Sequence, residues 1–319
     1  MPKPDSSERS AYEERVLGIV LNWNGADDTI ELLKSLDRLT WPYFEILVVD
    51  NGSSDNSVEK ITEAFPKQEI LQTGANLGYA GGNNAGLKTA LKRGCDYALV
   101  LNNDLTVETG LVEKLLEPCR TDSTIALAGP KVYRADKPDR LFYPAWKIDW
   151  KKWLFYRVEG SPDPSGITDV AYIQGCALLI RREFMEQEGL FDEKYHLYCE
   201  DADLSVRAQR AGWRTVEVEE AKVWHEGYGS SGKNSPLKTY YGLRNRLLFI
   251  GKHVPRSKRF PLIWRLLVFD AGRQFFGFLK LIFTGRFHDG FLGMRALCRA
   301  IFDWLVGRFN AGPVWLFRR

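Results

Sequence analysis

An apolar run that stops abruptly at polar residues, Ala98–Val107 (ALVLNNDLTV), constrains the fold of this chain more than any other stretch. Four apolar residues follow the glycine stop at Gly94 and lead directly into Asn102, Asn103 and Asp104. A short, continuously apolar run is typical of a strand buried on both faces. We predict that its carboxyl end delivers Asp104 to the rim where open α/β sheets bind ligands. An Asp at a strand end also commonly serves as a cap or turn residue.

Apolar runs and amphipathic helical segments alternate from Val16 to Gly129. This alternation favours a parallel, doubly wound α/β sheet. Strands are predicted at Val16–Leu21, Phe44–Val49 and near Ile70–Gln72 and, after an irregular stretch from Lys131 to Thr168, at Val170–Ile173, Ala177–Ile180 and about Arg214–Val218.

A glycine-rich loop, Gly74–Asn84, leads from the third predicted strand into a helix. It contains neither the lysine of a P-loop nor the spacing of a dinucleotide-binding fingerprint. The loop therefore fits a flexible connection as well as it fits a phosphate-binding segment.

Three carboxylates, Glu200, Asp201 and Asp203, open a later predicted helix. Helix capping explains one or two acids at such a position. The preceding loop is also rich in aromatic residues, and an aromatic wall beside a carboxylate suits a sugar and a general base with a raised pKa. His225 follows another predicted strand, where a packing role is the plainer interpretation of a single histidine.

The C-terminal part of the chain is basic and aromatic. Residues 251–319 hold 13 Lys and Arg, three Asp, and 14 Phe and Trp, whereas the rest of the chain has a net charge of −7. Such a segment indicates an anionic partner, either nucleic acid or a membrane. Every uncharged run is far shorter than the ~20 residues of a bilayer span, which favours amphipathic helices at a membrane surface. Packing of these helices on the catalytic body is the alternative.

The cysteines and the N-terminus indicate a cellular compartment. The five cysteines are scattered and lack a CxxC pair, which is typical of a reducing compartment and argues against a zinc site. Residues 1–15 are polar and lack the apolar core of a signal peptide. We therefore expect a short disordered lead over residues 1–15 and a cytoplasmic protein.

Taken together, six segments resemble family 2 glycosyltransferases of the GT-A fold, and most closely the bacterial rhamnosyltransferase-like members. The resemblance covers residues 16–250 and implies a nucleotide-binding half at 16–129 and an acceptor half at 130–250. The basic helical extension, residues 251–319, would associate with a membrane. The resembling segments are Val20–Gly25, Val48–Asp55, Asn76–Asn84, Leu101–Asp104, Glu200–Leu204 and His225.

The resemblance implies a role for each matching position. Asp50 would hold the nucleobase or ribose, and Asp201 would be the catalytic base that takes the proton of the acceptor hydroxyl. The implied donor-binding residues are Asn22, Asn24, Asp50, Asn76, Gly78, Gly82, Asn83 and Asn103. The implied residues for the acceptor and sugar are Gly175, Cys176, Tyr198 and Glu200.

The resemblance also implies a divalent cation on Asp104 and His225. Asp104 matches the last acid of the family's DxD motif, whereas Asn102 stands in place of the first acid and leaves fewer charged ligands. Mg²⁺ accepts one carboxylate together with phosphate oxygens and water, and a histidine ligand favours Mn²⁺. We therefore expect Mg²⁺ or Mn²⁺ as the cofactor.

The implied reaction is an inverting transfer of a sugar to a hydroxyl of a lipid-linked saccharide in cell-surface polysaccharide synthesis. L-rhamnose from dTDP-rhamnose is the best candidate for the donor, and another UDP- or GDP-sugar is the alternative. The expected partners are the nucleotide-sugar, the lipid-linked acceptor and the inner face of the cell membrane, with no nucleic acid and with a homo-oligomer left open. A non-catalytic sugar-binding module, motivated by Asn102, and a nucleic-acid-binding module are the competing classes.

Overall fold

The computed structural model describes residues 13–142, 145–149, 151, 154–157, 166–227 and 235–317. Residues 1–12 of the predicted disordered lead lie outside these ranges. The chain forms two compact units, which we call the sheet unit and the helical unit. The sheet unit comprises Met1–Leu77, Gly81–Phe191 and Leu204–Gly227, and the helical unit comprises Gly78–Ala80, Asp192–Asp203 and Tyr228–Arg319.

The first half of the sheet unit is built on a parallel sheet, as the alternating pattern predicted. Its strands are β1 (Val16–Asn22), β2 (Phe44–Asp50), β3 (Glu69–Gln72) and β4 (Tyr97–Asn102), and its helices are α1 (Ala26–Leu36), α2 (Ser57–Ala64) and α3 (Gly78–Arg93). Strand β1 is parallel to β2 on one side and to β4 on the other, and β3 is parallel to β2. Residues 98–101 of β4 are completely buried, as a continuously apolar strand requires.

The second half of the sheet unit contains more strands than the sequence pattern indicated. The elements are β5 (Leu105–Val107), α4 (Leu111–Thr121), β6 (Ile125–Arg134), β7 (Lys137–Leu141), β8 (Trp146–Asp149), β9 (Leu154–Arg157), β10 (Ile167–Asp169), β11 (Ala177–Arg181), α5 (Arg182–Glu188), α6 (Glu200–Arg210) and β12 (Arg214–His225). The prediction that Lys131–Thr168 is irregular was therefore wrong. Strand β7 is exposed along its whole length, so it has no buried face to produce an alternating pattern.

Two predicted strand boundaries also differ from the structure. Val170–Ile173 is not a strand, because the side-chain amide of Gln209 donates to the carbonyls of Val170 and Ala171, each at 2.9 Å, in place of a neighbouring strand. Strand β12 continues past Val218 to His225, with a break in its pairing register with β6 after Val218. A β-bulge of this kind lets a strand bend and continue.

The strand order is β10-β12-β6-β11-β4-β1-β2-β3, with β5 paired to β12, β7 paired to β6, and β8 and β9 forming a separate pair. Strand β11 is antiparallel to both of its neighbours, β4 and β6. Strand β5 is antiparallel to the end of β12, with Leu105 opposite His225. This register brings the end of β4 next to the end of β12.

The helical unit has its own core. Its elements are α7 (Pro236–His253), α8 (Arg256–Arg265), a π-helical turn (Leu266–Ala271), α9 (Gly272–Phe283), α10 (Phe287–Leu305) and a 3₁₀ turn (Val314–Phe317). Tyr240, Tyr241 and Leu247 of α7 pack with Phe278 of α9 and Leu297 of α10. None of the helices in the described part of the chain combines the length and apolar character needed to cross a bilayer.

Candidate active site

The carboxyl ends of β1 and β2 place three polar side chains in mutual contact. Asn22 is completely buried, and its Nδ2 donates to Asp50 Oδ1 at 2.9 Å and to Ser53 Oγ at 3.2 Å. Ser53 Oγ donates to Asp50 Oδ1 at 2.6 Å, and its backbone N–H donates to Asp50 Oδ2 at 3.1 Å. Parallel strands end at the same edge of a sheet, so the predicted donor residues Asn22 and Asp50 meet there.

The turn after β1 joins two more predicted donor residues to this edge. Asn24 has a left-handed backbone with φ of +52°, and its Oδ1 accepts from Ser54 N at 2.8 Å. Asn103 Nδ2 donates to Gly25 O at 3.1 Å and to Thr29 Oγ1 at 3.2 Å. Thr29 Oγ1 in turn donates to Asn22 Oδ1 at 2.8 Å, so the ends of β1 and β4 share one hydrogen-bond network.

The part of the glycine-rich loop that belongs to the sheet unit lies against Asn51. Asn51 Oδ1 accepts from Leu77 N at 3.0 Å, and its Nδ2 donates to Asn76 Oδ1 at 3.4 Å. A Cβ on Gly82 would lie 2.5 Å from Leu21 Cδ1 and 3.0 Å from Asn51 Cγ, so a larger residue would require these side chains to shift. Asn83 is completely buried. The prediction of a loop as far as Asn84 was wrong, because residues 78–84 form the first turns of α3. The remaining part of the loop, up to Leu77, is held by its contacts with Asn51.

Asp104 and His225, the predicted metal pair, are in direct contact. His225 Nε2 lies 3.0 Å from Asp104 Oδ1, and the two side chains are 8% and 11% exposed. The Asp104 carbonyl accepts from Glu226 N at 3.1 Å, which extends the β5–β12 pairing by one residue. Among the residues that the structure describes, no group of three His, Cys, Asp or Glu side chains is arranged to hold a metal ion.

The predicted acceptor residues Gly175 and Cys176 lie next to β4 because β11 runs antiparallel to it. The Cys176 carbonyl accepts from Asn102 N at 2.8 Å, so the loop before β11 is fixed at the end of β4. Cys176 itself is buried.

The remaining predicted residues, Gly78, Tyr198, Glu200 and Asp201, belong to the helical unit. Helix α6 begins at Glu200, which is buried, and its Oε2 has no hydrogen-bond partner among the described residues. Burial, together with the negative charge of Asp201, raises the pKa of Glu200 well above its ordinary value. Asp201 is partly exposed, so the two adjacent carboxyls occupy different environments.

Asp203, the third acid, has a structural position. It is completely buried and contacts three side chains of its own unit: Tyr195 OH donates to Oδ1 at 3.1 Å, His253 Nε2 lies 2.7 Å from Oδ1, and Lys252 Nζ lies 2.8 Å from Oδ1. A fully buried carboxylate surrounded in this way serves the packing of the unit.

A family model for glycosyl transferase family 2 matches residues 19–188, which is more than half of the chain. The chain belongs to glycosyl transferase family 2. The N-acetylglucosaminyl-diphospho-decaprenol L-rhamnosyltransferase of Mycobacterium tuberculosis is 28% identical over 269 residues, covering 73% of this chain and 83% of the relative. The protein is therefore a glycosyltransferase that is similar to rhamnosyltransferases.

Solved structures confirm the GT-A fold. The mannosyltransferase PcManGT from Pyrobaculum calidifontis, in complex with GDP-Man and Mn²⁺, aligns with a TM-score of 0.56 and 15% identity, covering 93% of this chain and 88% of that one. GalNAc-T7 with UDP, GalNAc and Mn²⁺ aligns with a TM-score of 0.57 and 17% identity, covering 76% and 52%. The predicted fold class is thus correct, including the C-terminal helices.

The sequence interpretation missed several residues of this edge. Ser53 and Thr29 connect Asn22, Asp50 and Asn103, but hydroxyl residues just after a strand also occur as ordinary turn residues. Asp28 was missed as well: burial and the negative charges of Glu226 and Asp104 raise its pKa. Its position in the first turn of α1 looks like helix capping in the sequence.

Proposed function

We propose that this glycosyltransferase transfers a sugar, best L-rhamnose from dTDP-rhamnose, to a hydroxyl of a lipid-linked saccharide, with inversion at the anomeric carbon. The observation that carries this proposal is the polar edge of the sheet unit. There the Asn22–Asp50–Ser53 network lies at the ends of β1 and β2, and Asp104, between β4 and β5, contacts His225 at the end of β12. The choice of sugar and acceptor rests on similarity to the mycobacterial rhamnosyltransferase. Such a reaction belongs to cell-surface polysaccharide synthesis.

Asp50 would bind the nucleoside of the donor. Its two carboxylate oxygens already accept from Asn22 and Ser53, which fixes the carboxylate toward the ribose or base. Asn24, Asn76, Gly78, Gly82, Asn83 and Asn103 would complete the donor site.

The donor set of Asp104 and His225 fits a divalent ion that also binds the diphosphate. One carboxylate and one imidazole are too few ligands for a closed protein site, but Mg²⁺ commonly combines one or two carboxylates with phosphate oxygens and water. When bound, Mg²⁺ or Mn²⁺ would neutralise negative charge on the leaving nucleoside diphosphate. The solved relatives with Mn²⁺ support the same class of ion.

Asp201 would act as the general base. Its carboxylate accepts the proton of the acceptor hydroxyl while that oxygen forms a bond to the anomeric carbon and the bond from this carbon to the phosphate oxygen breaks. Burial and the charge of Asp201 raise the pKa of the neighbouring Glu200. Gly175, Cys176, Tyr198 and Glu200 would contact the acceptor or the sugar.

A donor and acceptor panel tests the reaction. The full chain would be incubated with Mg²⁺ or Mn²⁺, a polyprenyl-diphosphate-linked N-acetylglucosamine, and dTDP-rhamnose, UDP-sugars or GDP-sugars in turn. We expect a glycosylated lipid only, or fastest, with dTDP-rhamnose. Transfer from a UDP- or GDP-sugar would instead identify that nucleotide-sugar as the donor. If no donor gives either transfer or hydrolysis, a non-catalytic module is favoured.

The helical unit would attach the enzyme to the inner leaflet of the cell membrane. Several of its large aromatic side chains are exposed, including Phe260 (74%), Phe276 (69%) and Phe283 (86%). Exposed cations, among them Arg265 and Arg273, lie in the same helices. Aromatic rings in the interface and cations over anionic lipid both favour binding, each cation by about 1 kcal/mol.

Liposome sedimentation tests this attachment. Deleting residues 251–319 would remove α9 and α10 from the core that they share with α7, so point variants are the better probe. We expect Arg265→Glu with Arg273→Glu to abolish sedimentation with phosphatidylglycerol liposomes, and Lys34→Glu with Lys60→Glu, exposed lysines of the sheet unit, to leave it intact. Wild-type protein that ignores anionic liposomes would contradict the proposal, and retention on RNA instead would favour the nucleic-acid alternative.

A further inference from the structure

The segment Asp192–Cys199, which leads into α6, has an unusual backbone. His196, Tyr198 and Cys199 have φ of +62°, +69° and +72°, and none of them is glycine. L-residues avoid this left-handed region because the side chain crowds the following carbonyl. The segment therefore needs contacts from outside to keep its shape.

Asn245 of α7 supplies such contacts. It is completely buried, and its Nδ2 donates to the carbonyls of Tyr195 at 2.8 Å, Leu197 at 2.7 Å and Tyr198 at 2.8 Å. The two hydrogens of one side-chain amide are thus shared among three carbonyls of a segment that forms no regular secondary structure. Such carbonyls would otherwise be costly to bury.

Arg244, the preceding residue, orients this amide and binds the same segment. Its Nε donates to Asn245 Oδ1 at 2.9 Å, which fixes the amide so that Nδ2 points to the carbonyls. Its Nη2 donates to Lys194 O at 3.1 Å and to Tyr195 O at 3.0 Å. Arg244 is itself completely buried, and its guanidinium lies over the ring of Tyr241 at 4.8 Å.

The segment held in this way touches two predicted parts of the site within the helical unit. The His196 carbonyl accepts from Ala80 N at 3.2 Å, and a Cβ on Gly78 would collide with His196. At its other end, the segment continues directly into Glu200 and Asp201. The position of both acids therefore depends on the backbone path that Arg244 and Asn245 stabilise.

We propose that Arg244 and Asn245 are positioning residues, which fix the left-handed segment and thereby the orientation of Asp201, without contacting either substrate. This inference rests on the proposed function of Asp201 as the base. If so, loss of Asn245 reduces turnover because the backbone of the segment relaxes and Asp201 moves. A residue at position 199 that easily adopts a positive φ should then restore turnover.

The test compares Asn245→Ala with Asn245→Ala/Cys199→Gly in the full chain. We expect Asn245→Ala to lower kcat by up to about 100-fold, as displacement of a catalytic group does. The Kd for the nucleoside diphosphate should change much less, because most of the proposed donor residues lie in the sheet unit. Glycine at position 199 adopts the left-handed backbone without strain, so the double variant should regain about 10-fold or more. Lys238→Ala, on the exposed side of α7, is the matched control and should match the wild type.

Each other outcome has a distinct meaning. Unchanged kcat in Asn245→Ala, or a loss that Cys199→Gly does not reduce, overturns the positioning role. If Asn245→Ala does not fold, the same comparison, with and without Cys199→Gly, can be made with Asn245→Ser, which keeps a shorter hydrogen-bond donor. An inactive wild type with every donor, or full activity of Asp201→Asn, would instead refute the proposed function, so the two failures are distinguishable.

Discussion

Two regions of the molecule are built in different ways: the polar edge of the sheet unit, and the segment Asp192–Cys199 of the helical unit, which leads into Glu200 and Asp201. At the sheet edge, regular strands end at Asn22, Asp50 and Asn102, and short turns complete the hydrogen bonds. In the segment Asp192–Cys199, residues with a left-handed backbone precede α6, and the side chain of Asn245, fifty positions after Tyr195, binds their carbonyls. Secondary structure alone therefore positions the polar residues of the sheet edge, whereas individual tertiary contacts position Glu200 and Asp201. Substitutions at the two regions should separate donor binding from turnover.

The largest effect is expected from Asp201→Asn. The amide cannot accept the acceptor proton, so kcat should fall by roughly 10²–10⁴-fold, the usual contribution of a general base. Donor binding, measured by titration with the nucleoside diphosphate, should remain within about twofold. Wild-type turnover in this variant would reduce Asp201 to a helix cap.

Asp104→Ala should lower kcat/KM by about 100-fold or more, because the diphosphate would lose several kcal/mol of charge stabilisation. His225→Ala should lower it less, by about 10–100-fold, as expected for a residue that also orients the carboxylate. The measurement is activity and nucleoside-diphosphate affinity as a function of Mg²⁺ and Mn²⁺ concentration, with exposed Asp139→Ala as control. Full wild-type activity in excess chelator would rule out a role for the metal.

Asn22→Ala should weaken donor binding and spare kcat. It removes the hydrogen bonds to Asp50 and Ser53 and leaves Thr29 Oγ1 without its acceptor Asn22 Oδ1. Asp50 would then lose a partner that fixes its carboxylate, and this loss of pre-organisation should raise the donor Kd by about 10-fold or more. The donor Kd would be measured by calorimetry, with Asn56→Ala, at an exposed position, as the control. A decrease in kcat with an unchanged donor Kd would contradict the assignment of donor binding to the sheet edge and of turnover to the helical unit.

Glu200→Gln should have the smallest effect on activity and a characteristic effect on stability. A carboxyl whose folded pKa is raised contributes its full stability below its unfolded pKa of about 4.3, and this contribution is lost as pH rises through the folded pKa. The variant should therefore unfold at higher urea concentration than the wild type at pH 8, with the difference shrinking toward pH 4. The reference variant is Glu63→Gln, at an exposed position. If Glu200→Gln and the wild type have equal urea midpoints at both pH values, the pKa of Glu200 is not raised by folding.

The sequence predicted the parallel strands because they follow from local patterns. The apolar run before Asn102 and the polar turn after Asp50 mark strand ends directly. The sequence did not reveal the roles of Arg244 and Asn245, although Tyr240, Arg244 and Leu247 recur at helical spacing and put a charged residue on the buried face of α7. A buried charge needs partners, but a pattern along one helix cannot say that those partners are carbonyls of a distant segment.

The same limit applies to Lys131–Thr168. Its strands are short, and β7 exposes every side chain, so tertiary pairing determines them more than hydrophobic pattern does. Conversely, contact between Asp104 and His225 followed from a resemblance, and the physical reason is the antiparallel register of β5 with β12.

The reversed direction of β11 has a consequence for how specificity can change over time. The loop before this strand stays at the end of β4 through a bond between main-chain atoms, from Asn102 N to the Cys176 carbonyl. Because that bond is indifferent to side-chain identity, a substitution in residues 174–176 leaves it intact, whereas the burial of Cys176 limits the size of a new side chain at that position. If this loop contacts the acceptor, as we propose, exchanging its residues would change acceptor preference, and the hydrogen bonds that join Asn22 to Asp50 would carry over unaltered.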